Sequence, residues 1–225
     1  MNNNFKNFLK EKKDLLIFLG VLIITFISVF TIASIATDDK DKNVGGGGGN
    51  IVVPPGDGDE PNIPEPQPEP KFQLPIKEKY VISREFFDLT SDLSVLVNAV
   101  ISDGKTYVES RGISFKREDN KVFDVYNVLP GEVISVSGNA ESLEGFTVTI
   151  KHDNDLTSTY SSLSSVNVNI GDILKDTTKI GVSGTTVKDL DAGIHVHLVL
   201  MHDKEYINPK NAIDKDISEL ASVVK

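Results

Sequence analysis

The sequence contains no cysteine in 225 residues, so neither a disulfide nor a thiolate zinc site can form. A domain without cysteine suits an extracytoplasmic location that does not depend on oxidation. Basic residues are also scarce, since 23 Lys and Arg stand against 33 Asp and Glu, giving a formal net charge of −10. This acidity argues against nucleic acid as a partner.

One long apolar run lies near the N-terminus. Residues 15–36 carry no charge and, at about 1.5 Å per residue in a helix, extend about 33 Å, enough to cross the hydrocarbon core of a bilayer. Lysines predominate before this run and Asp38 follows it, so the positive-inside rule places residues 1–14 in the cytoplasm and the remainder outside. A cleaved signal peptide is the alternative, with Ala33-Ser-Ile-Ala36 as a weak cleavage site, but the run is long for that purpose.

Residues 37–71 have the composition of a linker. Gly45 to Gly49 are consecutive glycines, which favour a flexible coil, and the prolines and glutamates after them favour a stiffer, extended spacer. Such a stretch cannot bury a hydrophobic core. The sequence therefore predicts a spacer that holds residues 72–225, a length typical of one domain, away from the membrane.

The chain after Pro130 is predicted to be mainly β. Short runs rich in β-branched and apolar residues alternate with glycines, and their close spacing favours antiparallel hairpins. The predicted strands are residues 132–136, 146–150, 157–160 and 194–201.

Helical patterns are few. A short C-terminal helix is predicted from four apolar residues at helical spacing: Ile217, Leu220, Ala221 and Val224. Asp214 or Asp216 is its candidate N-cap. Residues 89–101 fit neither the helical nor the strand period, so both interpretations stay open.

Several glycines and one acidic segment are predicted to form turns. Gly112, Gly171, Gly181 and Gly184 are interpreted as turn residues that allow a positive φ. Residues 153–155, Asp-Asn-Asp, are interpreted as a hairpin turn, because the full twelve-residue pattern of a calcium loop is absent.

The segment Gly193-Ile-His195-Val-His197 contains candidate metal-binding residues. Side chains alternate along a strand, so His195 and His197 point to the same face. Two imidazoles on one face are the beginning of a metal site, but zinc needs three or four ligands. The question is whether the chain supplies the others.

An ordered series of motifs in residues 105–213 resembles the LytM-type (M23) peptidoglycan endopeptidase domain. The motifs are Ser110-Arg-Gly-Ile-Ser114-Phe, Gly131-Glu-Val133, Val148-Thr-Ile-Lys-His152, Tyr160-Ser-Ser-Leu-Ser164, Ile170-Gly-Asp172, Ile180-Gly-Val-Ser-Gly184, His195-Val-His197 and Asn208-Pro209. Their order and spacing carry the resemblance. It implies a small antiparallel β-sheet domain with a groove over a zinc ion.

The resemblance also implies a ligand set that this chain lacks. In the family pattern the zinc ligands are a His, an Asp four residues later and the second His of His-x-His, while a His in Tyr-x-His-Leu-Ser and the first His of His-x-His assist. Here Ser110, Ser114 and Ser162 stand at the first ligand, the Asp and the assisting His positions. Neutral hydroxyls do not replace these groups. The sequence therefore predicts a pseudo-peptidase without metal or cofactor, in which His195 and His197 are vestigial.

The sequence offers two catalytic alternatives to that prediction. Substitute zinc ligands would have to come from Glu109, His152, Asp191, His202 or Asp203, although His202 is one step out of phase with His195 and should face the other side of its strand. Candidate nucleophiles are Ser110, Ser114 and Ser162 with His195 as base, although no motif such as Gly-x-Ser-x-Gly is present.

The anchor, the spacer and the degenerate site together are similar to a sporulation-associated branch of the family, as is Tyr80-Val-Ile-Ser-Arg-Glu-Phe-Phe87. The resemblance implies an ectodomain between the forespore and mother cell membranes. It implies a complex with the ectodomain of stage III sporulation protein AH, as a channel or zipper during engulfment. The alternatives are a regulator that activates a peptidoglycan hydrolase and a zinc endopeptidase with non-standard ligands. No motif specifies the partner-binding surface.

Overall fold

The structure, a computed structural model, describes residues 13–14, 17, 69–102 and 105–222. The predicted membrane span, residues 15–36, lies outside this part of the chain except for Ile17, and residues 37–68 of the predicted linker lie outside it as well. Within the described residues, no helix has both the length and the apolar character needed to cross a bilayer.

Twelve strands and two short helices make up the described fold. The strands are β1 (Tyr80–Arg84), β2 (Val100–Ser102), β3 (Tyr107–Glu109), β4 (Ile113–Arg117), β5 (Asp124–Tyr126), β6 (Gly131–Ser137), β7 (Phe146–Lys151), β8 (Leu156–Val166), β9 (Ile173–Leu174), β10 (Lys179–Ser183), β11 (Val196–His202) and β12 (Glu205–Ile207). The helices are α1 (Leu93–Asn98) and α2 (Ile217–Ser222).

Ten of these strands form one antiparallel sheet. Its main path runs β1-β4-β11-β8-β7-β6-β9, with β10 joined to β5 and β8, and β12 joined to β11. Consecutive strands β6, β7 and β8 form a meander closed by short turns, as their spacing in the sequence predicts. The prediction of a mainly β, antiparallel domain with a short C-terminal helix is confirmed.

The alternation of side chains along β11 gives the sheet two different faces. Val196, Leu198 and Leu200 point into the hydrophobic core and are fully buried, and burying each of them contributes about 1.5–3 kcal/mol. The intervening residues, from His197 to Met201, are only partly buried on the opposite face. The core therefore lies on one side of the sheet, and the residues of chemical interest lie on the other.

Residues 89–101 contain both a helix and a strand, which explains why neither period fitted. α1 ends at Asn98, and β2 begins two residues later. Together with β3 these elements form a small cap with its own core, in which Leu96 and Val100 pack against Phe87, Val97 and Tyr107.

The C-terminal helix begins with a reciprocal capping arrangement. Asp216 Oδ1 accepts a hydrogen bond from the Glu219 backbone N–H at 2.9 Å, and Glu219 Oε2 accepts one from the Asp216 N–H at 3.3 Å. Of the two predicted caps, Asp216 is the one that acts. The same segment holds the start of the domain, because Phe72 N donates to Lys215 O at 2.8 Å and Lys71 forms a β-bridge with Asp216.

The predicted reason for three glycines is wrong. Of the four glycines predicted to be turn residues, only Gly171 has the expected positive φ, 91°. Gly112, like Gly181 and Gly184, is needed for close packing instead: a Cβ at Gly112 would lie 2.1 Å from the Leu198 carbonyl oxygen. The predicted turn at residues 153–155 is confirmed, with Asn154 and Asp155 both at φ 55°.

Candidate functional site

His195 lies just before β11 and contacts Ser162 across the sheet. The strand predicted from residue 194 begins at Val196, because His195 instead forms an isolated bridge with Gly184. His195 Nδ1 lies 2.9 Å from Gly193 O, and its Nε2 lies 2.8 Å from Ser162 Oγ. A carbonyl only accepts, so Nδ1 carries the proton and Nε2 of the neutral ring accepts from the serine hydroxyl.

The backbone at Ser162 is unusual. Its φ is 65°, in the left-handed region that non-glycine residues rarely adopt. It lies where the β7–β8 pairing shifts register between Phe146 and Val148. Irregular strands of this kind often lie beside functional sites, where they redirect one side chain. Here the irregularity directs the buried Ser162 hydroxyl to His195.

His197 and Ser114 form a second pair one strand away. They are cross-strand neighbours in the pairing of β11 with β4. His197 Nδ1 lies 3.0 Å from Ser114 Oγ. We call Ser114, Ser162, His195 and His197 the groove cluster. The structure places these four residues of the degenerate motifs on or beside neighbouring strands.

Ser110, the third predicted position, has a different contact. Its fully buried hydroxyl donates to the Gly112 carbonyl at 2.8 Å. Among the described residues, no hydrogen bond joins Ser110 to either histidine of the groove cluster.

Both histidines of the groove cluster are neutral near pH 7. Burial lowers the pKa of His195, and it lowers the pKa of His197 to about 3, an effect to which the neighbouring His195 and Lys188 add. Neutral imidazoles are what a metal ion requires. The donors beside them, however, are serine hydroxyls, and zinc sites are built from imidazole, carboxylate or thiolate. The donor set therefore does not fit a zinc ion.

The candidate substitute ligands are dispersed. His152 is buried elsewhere, with Nδ1 2.7 Å from Pro130 O. His202 lies on the core-facing register of β11, as predicted, and its Nε2 is 3.8 Å from Asp203. Asp191 lies 4.0 Å from Arg84, and Glu109 lines the groove. Within residues 69–102 and 105–222, no group of three or more His, Asp or Glu side chains lies where it could hold a metal ion.

His152 belongs to a separate set of buried polar side chains. Its Nε2 lies 2.7 Å from Ser158 Oγ, which lies 3.1 Å from the Tyr160 hydroxyl. The Val128 backbone N–H donates to that hydroxyl at 2.8 Å. We call His152, Ser158 and Tyr160 the core cluster. Burial lowers the pKa of His152 and raises that of Tyr160, so both are neutral.

A buried ion pair, which sequence reasoning missed, supports the loop before His195. Arg84 contacts both carboxylate oxygens of Asp189, with Nη2–Oδ1 at 2.7 Å and Nε–Oδ2 at 2.8 Å. It joins β1 to the loop that carries Gly193. The available signal was an arginine at the end of an otherwise uncharged strand, Tyr80–Arg84. Breaking a buried pair of this kind costs about 3–5 kcal/mol.

The groove cluster opens onto a groove of about 720 Å³. A smaller cavity of about 20 Å³ adjoins His195, His197 and Ser162. Lys188 and Glu144 form an ion pair and line both this cavity and the groove. The groove is lined by Ile101, Tyr107, Val108, Glu109, Arg111, Glu144, Thr147, Thr159, Ser161, Lys188, His197, Val199, Met201 and Tyr206.

Comparison with known proteins gives a family and a relative. Residues 108–209 match peptidase family M23. Stage II sporulation protein Q of Bacillus subtilis (strain 168) is 32% identical over 143 residues, which are 64% of this chain and 50% of that protein. The chain therefore spans about half the length of this curated relative.

Two solved structures are similar to the described domain. A chain from a structure of the SpoIIQ–SpoIIIAH pore-forming complex has a TM-score of 0.65 and 29% identity, covering 68% of this chain and 97% of that one. A chain from a crystal structure of a SpoIIIAH and SpoIIQ complex has a TM-score of 0.60 and 30% identity, covering 63% and 99%. The resemblance that the motifs indicated is confirmed.

Proposed function

We propose that this chain, which belongs to peptidase family M23 through residues 108–209, is a non-catalytic scaffold that binds a partner membrane protein. The observation that carries the proposal is the groove cluster. Ser114 and Ser162, which contact His197 and His195, stand where the family pattern has a zinc-ligand Asp and an assisting His. The fold around the groove cluster is intact. In this proposal the chain has lost zinc-dependent hydrolysis but has kept the β-sheet domain.

The partner we propose is the ectodomain of stage III sporulation protein AH. The support is similarity: both solved structures named above are complexes of SpoIIQ with SpoIIIAH, and the similarity spans nearly the whole of each matched chain. In this proposal the two ectodomains meet between the forespore and mother cell membranes and form a channel or engulfment complex.

The proposal includes a membrane anchor at residues 15–36, with residues 1–14 in the cytoplasm and a spacer at 37–71. Its support is the uncharged run with lysines before it. The spacer supplies the reach that a contact across an intermembrane gap requires.

Co-elution tests the proposal directly. The full chain, kept in mild detergent because of its apolar run, is mixed with the SpoIIIAH ectodomain from the same cell. Size-exclusion chromatography with light scattering then gives the mass of any complex. The expected result is a complex with a defined mass at micromolar concentrations, and each protein alone is the control.

Two other outcomes would overturn the proposal in different ways. No complex at micromolar concentrations would favour the regulator, which predicts that a peptidoglycan hydrolase becomes faster when this chain is added. About one zinc per chain, together with release of cross-link peptides from peptidoglycan, would establish the endopeptidase with non-standard ligands.

A further inference from the structure

The two ends of the large sheet differ in how their outer strands are protected. At one end, β1 has a register shift between Ile82 and Arg84, and Arg84 turns inward to Asp189. Bulges and inward-pointing charges keep edge strands from pairing with other chains. At the other end, β9 pairs with β6 alone among the described strands, and Ile173–Leu174 carries no charge.

Exposed isoleucines gather at the unprotected end. Ile173 is 75% exposed, Ile170 is 65% exposed and Ile134 is 44% exposed. We call these three residues the isoleucine edge. Singly exposed apolar side chains are common on protein surfaces, but clusters of them mark interaction sites.

The three isoleucines lie side by side on adjacent segments. Glu132 of β6 pairs with Ile173 of β9, and the exposed Ile134 follows two residues along β6, at the shift of register between Val133 and Ser135. Gly171 N donates to Val133 O at 2.8 Å, which places Ile170 beside the same stretch of β6. The isoleucine edge therefore lies on neighbouring segments at this end of the sheet, with the exposed Glu132 directly opposite Ile173.

A cavity of about 410 Å³ adjoins the isoleucine edge. Its walls combine the apolar Ile173 and Leu174 with charged side chains at Glu132, Lys151 and Asp153. An apolar floor with a polar rim is the usual make-up of a pocket that receives an anchoring side chain.

We propose that the isoleucine edge receives an extended strand of the partner ectodomain. The strand adds to β9 through main-chain hydrogen bonds, lays apolar side chains against Ile170 and Ile173, and places one in the adjoining cavity. The inference rests on the proposed function, since it names the surface through which that partner binds. A second copy of this chain is a poorer occupant, because two molecules each carrying a net charge of −10 repel each other.

The test measures binding of the full chain, in mild detergent, to the SpoIIIAH ectodomain by biolayer interferometry. The variant is Ile170→Asp with Ile173→Asp, at positions exposed enough for the fold to tolerate the charges. The matched control is Leu190→Asp, because Leu190 is 63% exposed but lies outside the isoleucine edge. We expect the Kd of the double variant to rise about 30-fold or more. The Kd of the control should stay within about 2-fold of the wild-type value.

The outcomes separate this inference from the function on which it rests. Unchanged binding by the double variant, with wild type binding well, overturns the isoleucine edge and leaves the scaffold function standing. No binding by wild type overturns both. A wild-type dimer that becomes a monomer in the double variant would make the occupant a second copy, which also overturns the inference as stated.

Discussion

The groove cluster and the core cluster contain the same contact in two different settings. In each, a neutral histidine lies 2.7–3.0 Å from a serine hydroxyl. The core cluster ends on backbone groups, at Pro130 O and Val128 N, and its Ser158 and Tyr160 are fully buried, while His152 lies beside the cavity next to β9. The groove cluster lines a cavity that opens to a groove. The same kind of contact thus lies within the core in one place and beside the groove in the other.

Restoring the missing ligands should change the groove cluster most. We expect Ser110→His with Ser114→Asp to bind about one zinc per chain, because His197 then has an imidazole and a carboxylate as companions. Zinc retained after dialysis, measured by mass spectrometry of the metal, checks this.

The matched control adds His197→Ala to the same two substitutions and should lose the zinc. Failure of the restored chain to hold zinc would mean that Ser110 and Ser114 do not occupy former ligand positions, and the groove cluster would then resemble the core cluster more than we infer.

Removing one serine hydroxyl from each cluster should lower the free energy of unfolding by different amounts. Ser158→Ala leaves the Nε2 of His152 without its hydrogen-bond partner, so we expect the free energy of unfolding to fall by about 2 kcal/mol. Ser162→Ala should cost less than about 1 kcal/mol, because water in the adjoining cavity satisfies His195. Urea unfolding of both variants measures the difference, and a larger loss for Ser162→Ala would contradict the distinction.

Acid should destabilise both clusters. The pKa of each of the three histidines is lowered in the folded protein, so below pH 6.5 the unfolded chain binds more protons and stability falls as pH falls. For His197 the loss continues down to about pH 3. Each histidine contributes up to about 1.4 kcal/mol per pH unit.

Substitution assigns that pH dependence to the clusters. The free energy of unfolding is measured at several pH values for two variants. Its dependence on pH should weaken more in the double variant His195→Asn with His197→Asn, which removes two such histidines, than in His152→Gln, which removes one. Equal slopes in the two variants would speak against this assignment.

The smallest change in stability should come from replacing serine with glycine instead of alanine. Ser162 has a φ of 65°, so we expect Ser162→Gly to be at least as stable as Ser162→Ala, by up to about 1 kcal/mol. Ser158 has an ordinary strand backbone, and Ser158→Gly should be about 0.5–1 kcal/mol less stable than Ser158→Ala. Urea unfolding of the four variants compares the two positions, and the same order at both would refute the strain at Ser162.

Much of this arrangement was predictable from local patterns. The period-two alternation around His197 located β11 and its two faces, and the motif order placed Ser114 and Ser162 beside the histidines. Contacts between distant segments were not predictable in this way. Nothing local pairs Arg84 with Asp189, and Gly112 looks like a turn residue until the Leu198 carbonyl above it is seen. The helix and strand within residues 89–101 could not be predicted because a helical period of apolar residues changes to a strand period within that segment.

The attachment of Lys71 and Phe72 to the C-terminal segment has a mechanical consequence. If the preceding spacer is fixed to a membrane, tension on it first reaches the bridge to Asp216 and the hydrogen bond to Lys215 O. The load then passes to α2, whose Leu220 is fully buried, before it reaches the sheet. Within the described domain, α2 thus anchors Lys71 and Phe72, and the two ends of that domain would yield to a pull together.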